Sequence, residues 1–158
     1  MYNEVVSMKI SIGADHKGVE HKKAIINYLE NKGFSVSNEG PDTLDSVDYP
    51  DYAIRVSKKV SKGLVDFGIL ICYTGIGMSI AANKVRGVRA SLVGLVEDAI
   101  LTREHNNSNV LCLSAKNTTI EDSIKIVEAY LSSEFTAGRH LQRVEKVCNI
   151  EDEERKSL

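Results

Sequence analysis

The chain has 158 residues and a net charge of −2, a size that fits a single domain around one core. Lysine and arginine are scattered, which argues against nucleic-acid or membrane-surface partners, and no apolar run approaches the ~20 residues of a membrane span. Three cysteines spaced by 40 and 36 residues suit neither a disulfide framework nor a zinc site, and no secretory signal precedes them, so we expect a cytoplasmic protein.

Strand and helix patterns alternate from residue 9 to about 131, and one further helix follows. The predicted strands are 9–14, 34–37, 67–72, 88–93 and 109–114. The predicted helices run from the turn after 14 to about 32, from 50 to 63, 78–84, 97 to about 104, from a cap at Thr118 or Thr119 through 131, and from 138 to about 154. This order predicts one domain over 1–158, with residues 1–7 as an extension and 155–158 as a frayed tail. Its fold class is a three-layer α/β/α sandwich with a five-stranded parallel sheet, a Rossmann-like fold.

The segment 66–84, DFGILICYTGIGMSIAANK, is the most informative stretch. An apolar strand ending at Cys72 is followed by a glycine turn, Tyr73 to Gly77, and then by a helix rich in small residues. Such a turn aims free main-chain N–H groups and the positive end of a helix dipole at one point, where negative charge is stabilised. A thiol at the end of that strand is favoured in its thiolate form, so Cys72 is a candidate for chemistry.

Each candidate residue also has a simpler explanation. Cys72 could be an inert buried thiol, as we expect for Cys112, and Asp15 could merely cap a helix. The Gly75-x-Gly77 turn lacks the third glycine of a dinucleotide fingerprint and the lysine of a nucleotide triphosphate loop. Surface positions alone would explain the remaining polar candidates, His16, His105, Asn106, Asn107, Arg139 and Arg143.

Five blocks of sequence nevertheless resemble one family. They are ADHKG after the first strand, DYP at 48–50, ILICYTGIGMSIAANK, REHNNSNVL at 103–111 and GRHLQRV at 138–144. Together, and in this order from about Lys9 to Ile150, they resemble the type B ribose-5-phosphate isomerases. The wider family includes isomerases of galactose and allose 6-phosphates.

The resemblance implies an activity and its catalytic residues. The reaction is the interconversion of ribose 5-phosphate and ribulose 5-phosphate, a pentose phosphate pathway step, through a cis-enediolate. Cys72 resembles the base that moves a proton between C2 and C1, Thr74 the hydroxyl beside it, and His105 the acid/base that opens the furanose ring. One branch of the family carries a glutamate base where this chain has Met78, which cannot accept a proton. The chain therefore resembles the cysteine branch.

The resemblance also implies how substrate is bound. Main-chain amides from Gly75 through Gly77 to Ser79 would form the anion hole, and Asp15 and Asn106 would contact the sugar hydroxyls. The phosphate would be held by Arg139 and Arg143 with His16 and His140, and Tyr49 would form a wall of the pocket. No metal or other cofactor is implied, and the assembly would be a homodimer or a dimer of dimers. Tyr73 departs from the glycine that many cysteine-branch members carry, which bears on the choice of sugar.

Two classes of function stay open at this point. The first is an aldose–ketose isomerase, with ribose 5-phosphate favoured over a six-carbon sugar 6-phosphate of allose or galactose. The second is a non-catalytic sugar-phosphate- or nucleotide-binding module, for which Gly75-x-Gly77 and the arginines would suffice. Pairing of Cys72 with His105 discriminates between them, because a binding module needs neither residue.

Overall fold

A five-stranded sheet forms the centre of the computed structural model, which describes residues 7–157. Its strands are β1 (Lys9–Ala14), β2 (Ser35–Asn38), β3 (Phe67–Cys72), β4 (Ala90–Leu92) and β5 (Val110–Ser114). The spatial order is β2-β1-β3-β5-β4, and every neighbouring pair is parallel. β1, β3 and β5 are almost fully buried because both faces are covered, which is why each is a nearly continuous apolar run.

Six helices flank the sheet: α1 (Val19–Asn31), α2 (Tyr49–Ser61), α3 (Ile76–Ala82), α4 (Val96–Asn106), α5 (Ile120–Ser132) and α6 (Gly138–Lys156). One apolar core joins α1, α4 and α5 to one face of the sheet, and a second joins α2 and α3 to the other. The predicted three-layer α/β/α arrangement is therefore confirmed. Within residues 7–157, no helix is long and apolar enough to cross a bilayer.

Alternation along β3 divides its side chains between the two cores. Ile69 and Ile71 pack against α1 and α5, whereas Leu70 and Cys72 pack in the core shared with α2 and α3. The period of two that governs any strand produces this division. It directs the Cys72 side chain towards the layer that contains α3.

Several boundaries differ from the predicted ones. β4 is confined to Ala90–Leu92, inside the predicted range 88–93, because this edge strand has only β5 as a partner and pairs with it at three positions. α3 begins at Ile76, two residues earlier than predicted, and α4 continues to Asn106. α6 continues to Lys156, into the segment predicted as a frayed tail, whereas residues 1–6 and 158 lie outside the described residues.

The two edges of the sheet carry different loops. A helix that connects two parallel strands runs back along the sheet, so it starts near the carboxyl end of one strand and ends near the amino end of the next. The turns after β1 and β3 therefore lie at the carboxyl edge of the sheet. The end of α4 lies at the opposite, amino edge, just before β5 begins at Val110.

Candidate functional site

Cys72 is the last residue of β3, and its side chain is 4% exposed. The N–H group of Gly75 donates a hydrogen bond to the Cys72 Sγ atom at 3.2 Å. The sulfur thus lies at the end of an apolar core and accepts a hydrogen bond from the glycine turn.

The first turn of α3 supplies further donors beside that sulfur. The Ile76 N–H group donates to Thr74 Oγ1 at 3.3 Å. Within residues 7–157, the N–H groups of Gly77 and Met78 have no hydrogen-bond acceptor, as is usual for the first turn of a helix. Two free donors at the positive end of a helix can stabilise an oxygen that becomes negative. Ser79, one residue further along the same helix, ends the turn by donating its N–H group to the Gly75 carbonyl oxygen.

Two glycines of this turn lie close to neighbouring elements, for different reasons. Gly75 has φ +76°, and a Cβ atom there would lie 2.9 Å from the main-chain oxygen of Leu113. A Cβ atom on Gly77 would lie 2.6 Å from Cζ of Tyr49, because the Tyr49 ring packs directly on this glycine. The turn is therefore shaped by β5 on one side and by the start of α2 on the other.

Replacing Gly75 with alanine is expected to lower the free energy of unfolding by about 3 kcal/mol, combining left-handed strain with a main-chain clash that cannot relax. Gly33→Ala is the matched control, since Gly33 also has a positive φ of +88° but open space around it. It should cost only about 1 kcal/mol. Urea unfolding of both variants measures the difference, and equal losses would show that the close approach to Leu113 is unimportant.

Asp15 and His16 follow β1 at the same edge as Cys72. The Asp15 N–H group donates to the Ile71 carbonyl oxygen at 3.0 Å. The Oδ1 atom of Asp15 accepts hydrogen bonds from the N–H groups of Lys17 and Gly18. His16 Nδ1 accepts a hydrogen bond from the Val47 N–H group at 3.3 Å. Asp15 is not the cap of α1, whose N-cap is Gly18 and has no side-chain cap; its carboxylate instead closes the turn between β1 and α1, which fixes it at the same edge as Cys72.

The other two cysteines differ from Cys72 in their surroundings. Cys112 is fully buried on β5, and burial, followed by the neighbouring Cys72, raises the pKa of its thiol well above the ordinary value. Cys148 is half-buried on α6, and its sulfur lies 4.0 Å from Arg89 Nη1. Within the described residues, Cys72 is thus the cysteine whose sulfur accepts a hydrogen bond from the glycine turn.

A second cluster of polar side chains lies at the amino edge of the sheet. The His105 ring, at the end of α4, stacks on the His140 ring of α6, with ring centroids 4.1 Å apart and an angle of 16° between the planes. Partial burial lowers the pKa of His140, and the nearby charges of His105, Arg139 and Arg143 lower it further. His105, Asn106, His140 and Arg143 also line a cleft of about 970 Å³ between α6 and the end of α3. The guanidinium of Arg143, with the hydrogen-bonding side chains beside it, suits an anionic group.

The thirteen predicted site residues thus fall into two sets. The carboxyl-edge set comprises Asp15, His16, Tyr49, Cys72, Thr74, Gly75, Gly77 and Ser79. The amino-edge set comprises His105, Asn106, Arg139, His140 and Arg143. Cys72 pairs with Ser114 and Gly68 with Val110, so the length of β5, about 13 Å, separates the edges. Each set is assembled within one chain, but one chain does not bring the two sets together.

Tyr73 lies outside the carboxyl-edge set. Its neighbour Cys72 points towards α3, so alternation directs Tyr73 to the other face, where its ring centroid lies 6.0 Å from Lys17 Nζ and 5.6 Å from Lys116 Nζ. The Tyr73 ring is thus half-exposed and lies beside two lysine side chains.

Sequence reasoning missed the buried residue that holds the end of α4. Arg103 Nη1 donates to the Ser108 carbonyl oxygen and, at 3.2 Å, to Asn107 Oδ1, and its guanidinium lies 4.6 Å from the Phe67 ring centroid. These contacts stabilise Asn107 in its left-handed conformation at φ 48° and so fix the turn that presents His105. The signal in the sequence was the position of Arg103, two residues before His105. That spacing places it on a different side of α4, the side that the structure shows to be buried.

Comparison with known proteins agrees with this architecture. The model of the family described as Ribose/Galactose Isomerase matches residues 10–147. A protein of Mycoplasma genitalium named as a probable ribose-5-phosphate isomerase B is 46% identical over 150 residues, which cover 94% of this chain and 99% of that protein. Ribose-5-phosphate isomerase B of Escherichia coli K12 is 43% identical over 143 residues, covering 90% and 96% respectively.

Solved structures of similar proteins share the whole fold. The ribose-5-phosphate isomerase B of Clostridium thermocellum superimposes with a TM-score of 0.91 at 42% identity, over 92% of this chain and 99% of that one. The enzyme of Mycoplasma genitalium, solved with bound ribulose-5-phosphate, superimposes with a TM-score of 0.90 at 46% identity, over 93% and 98%. By its family model, its relatives and its fold, this chain belongs to the ribose/galactose isomerase family.

Proposed function

We propose that this chain interconverts D-ribose 5-phosphate and D-ribulose 5-phosphate, with Cys72 as the base. In the open-chain aldose, the Cys72 thiolate removes the proton on C2 and the aldehyde oxygen becomes negative, which gives a cis-enediolate. The same proton is returned to C1, and a proton passes from the C2 hydroxyl to the C1 oxygen. The observation that carries this proposal is the Gly75 N–H hydrogen bond to the Cys72 sulfur.

The amides of Gly77 and Met78, which have no acceptor within residues 7–157, support the same step. A proton next to a carbonyl is weakly acidic, so the barrier falls only if the developing oxyanion is stabilised. Preorganised N–H donors contribute about 3 kcal/mol each to such a step. These amides lie in the first turn of α3, adjacent to Cys72, and Thr74 fixes the neighbouring amide of Ile76.

The remaining residues would bind and open the sugar. We assign ring opening to His105, since histidine can both donate and accept a proton near neutral pH. Asp15 and Asn106 would contact the sugar hydroxyls, and Tyr49 would form a wall over Gly77. The phosphate would be bound by Arg139 and Arg143 together with His16 and His140.

Joining the two sets requires a second copy of the chain, so we propose a homodimer whose sites are shared. The carboxyl-edge set of one copy would meet the amino-edge set of the other. Exposed apolar side chains beside the glycine turn support this arrangement: on α3, Ile76 is 53% and Ile80 is 58% exposed, and Leu92 and Leu95 are exposed nearby. Apolar surface of this kind is typical of an interface between subunits.

Arg139→Ala is expected to raise KM for the sugar phosphate about tenfold or more, because a charge-assisted hydrogen bond to the phosphate is lost. Lys146→Ala is a suitable control, since Lys146 is an exposed lysine on the same helix and is not among the residues that line the cleft. Steady-state kinetics on both variants tests the assignment. A normal KM in Arg139→Ala would mean that the phosphate lies elsewhere.

The deciding experiment is an isomerase assay with ribose 5-phosphate and with allose 6-phosphate, each in the presence of a chelator. We expect the higher kcat/KM with ribose 5-phosphate, a preference supported by the relative solved with ribulose-5-phosphate. Preference for allose 6-phosphate would favour the alternative of a six-carbon sugar 6-phosphate. Binding without turnover of either sugar would favour the non-catalytic alternative.

A cytoplasmic location is part of this proposal. Its support is that all three cysteines are free thiols in the structure, as is usual in a reducing compartment.

A further inference from the structure

Lys22 of α1 is completely buried, although its side chain carries a charge. Its Nζ atom donates to Asn38 Oδ1 at 2.7 Å and to Asp42 Oδ1 at 2.8 Å. A buried ammonium is costly unless it is paired and hydrogen-bonded. The Asp42 side chain is 70% exposed, so its carboxylate pairs with the buried ammonium from the surface of the protein.

The same atoms fix the start of the segment between β2 and α2, which we call the 39–48 loop. Asn38, the last residue of β2, accepts the Gly40 N–H group on Oδ1 at 2.9 Å and donates from Nδ2 to Asp42 Oδ1 at 2.9 Å. The Gly40 carbonyl oxygen accepts the Ala14 N–H group at 3.0 Å. Lys22 therefore lies where α1, the ends of β1 and β2, and the first residues of this loop are joined.

The far end of the 39–48 loop contacts the carboxyl-edge set. The Val47 N–H group donates to His16 Nδ1, and the loop leads directly into Tyr49, whose ring covers Gly77. Between these ends the loop is exposed. A side-chain hydrogen bond there, from Thr43 Oγ1 to Asp45 Oδ2, joins two residues of the loop itself and is long at 3.4 Å. The loop is thus held at its two ends. At the first end Lys22 acts beside Glu39, whose carboxylate accepts from Ser11 and Ser37 and pairs with Lys59.

We propose that Lys22 is a positioning residue for sugar-phosphate binding. Through Asp42 and Asn38 it fixes the 39–48 loop so that the Val47 amide orients His16 and Tyr49 stays on the glycine turn. The inference rests on the proposed function, because it concerns how the same site binds substrate. Lys22 itself touches no reacting atom, so its effect falls on affinity for the sugar and not on proton transfer.

The test compares Asp42→Ala with Asp45→Ala. Both changes remove one carboxylate from the same loop, but only Asp42 bonds to Lys22. For Asp42→Ala we expect KM for ribose 5-phosphate to rise about fivefold with kcat within about twofold of wild type, the pattern of lost uniform binding. Asp45→Ala should keep both constants. Lys22→Met should reproduce the rise in KM, and Asp42→Ala alone decides the question if Lys22→Met does not fold.

Hydrogen exchange of the substrate-free protein gives a readout independent of turnover. In Asp42→Ala the amides of Gly40 and Val47 should exchange faster, whereas in Asp45→Ala they should exchange as in wild type. Equal KM values and equal exchange in the two variants would overturn the inference while leaving the isomerase proposal intact. A wild-type protein that turns over no sugar phosphate would instead refute the proposed function, and exchange at Val47 would still decide whether Lys22 positions the loop.

Discussion

Cys72→Ala is expected to lower kcat for ribose 5-phosphate about a thousandfold while leaving KM nearly unchanged. General-base catalysis contributes about 10²–10⁴-fold to a proton transfer, and alanine leaves no group on β3 that can accept the proton. The phosphate and hydroxyl contacts proposed here involve other residues, so substrate should still bind. Steady-state kinetics combined with a titration of ribose 5-phosphate binding measures both effects.

Cys112→Ala and Cys148→Ala are the matched controls for this change. Cys112 neighbours Cys72 in the same apolar core, so its removal reproduces the packing change without removing the sulfur at the glycine turn. Its variant should lose some stability but keep kcat, and Cys148→Ala should keep both. Activity in Cys72→Ala within a few fold of wild type would remove Cys72 as the base and would favour a site used only for binding.

The fold was predictable because helix and strand patterns alternate without interruption. Phe67–Cys72 is long, apolar and rich in β-branched residues, and such a run identifies a central strand of a parallel sheet. β4 was less predictable, because an edge strand needs only enough residues to pair with one neighbour. Val88 and Val93 are buried on either side of it, which made the apolar run longer than the strand.

The carboxyl-edge set was predictable for a geometric reason. The strands of a parallel sheet all end at one edge, so Asp15 and Cys72 could be placed together from the chain order alone. The position of His105 depends instead on the length of α4, which returns the chain to the amino edge. Lys22 gave a weaker signal, a lysine on the same helix face as Val19 and Ile25, and only the structure shows that it is buried.

Mixing two inactive variants is expected to restore activity if the sites are shared between copies. A Cys72→Ala chain has a damaged carboxyl-edge set and an intact amino-edge set, and a His105→Ala chain has the reverse. In a mixed dimer, one site combines both intact sets and the other combines both damaged ones. Random assembly of equal amounts should therefore recover about a quarter of the wild-type sites, since about half of the dimers are mixed.

Two measurements make this complementation decisive. Each variant carries a different affinity tag, so that mixed dimers are isolated in sequence and assayed directly. A mixture of Cys72→Ala with Cys72→Ser is the control, because both chains then carry the defect at the same edge and no intact site can form. Isolated mixed dimers of Cys72→Ala and His105→Ala that stay inactive would contradict a site built from two copies. Because β5 separates Cys72 from His105 within one chain, that result would also require another proton donor for ring opening.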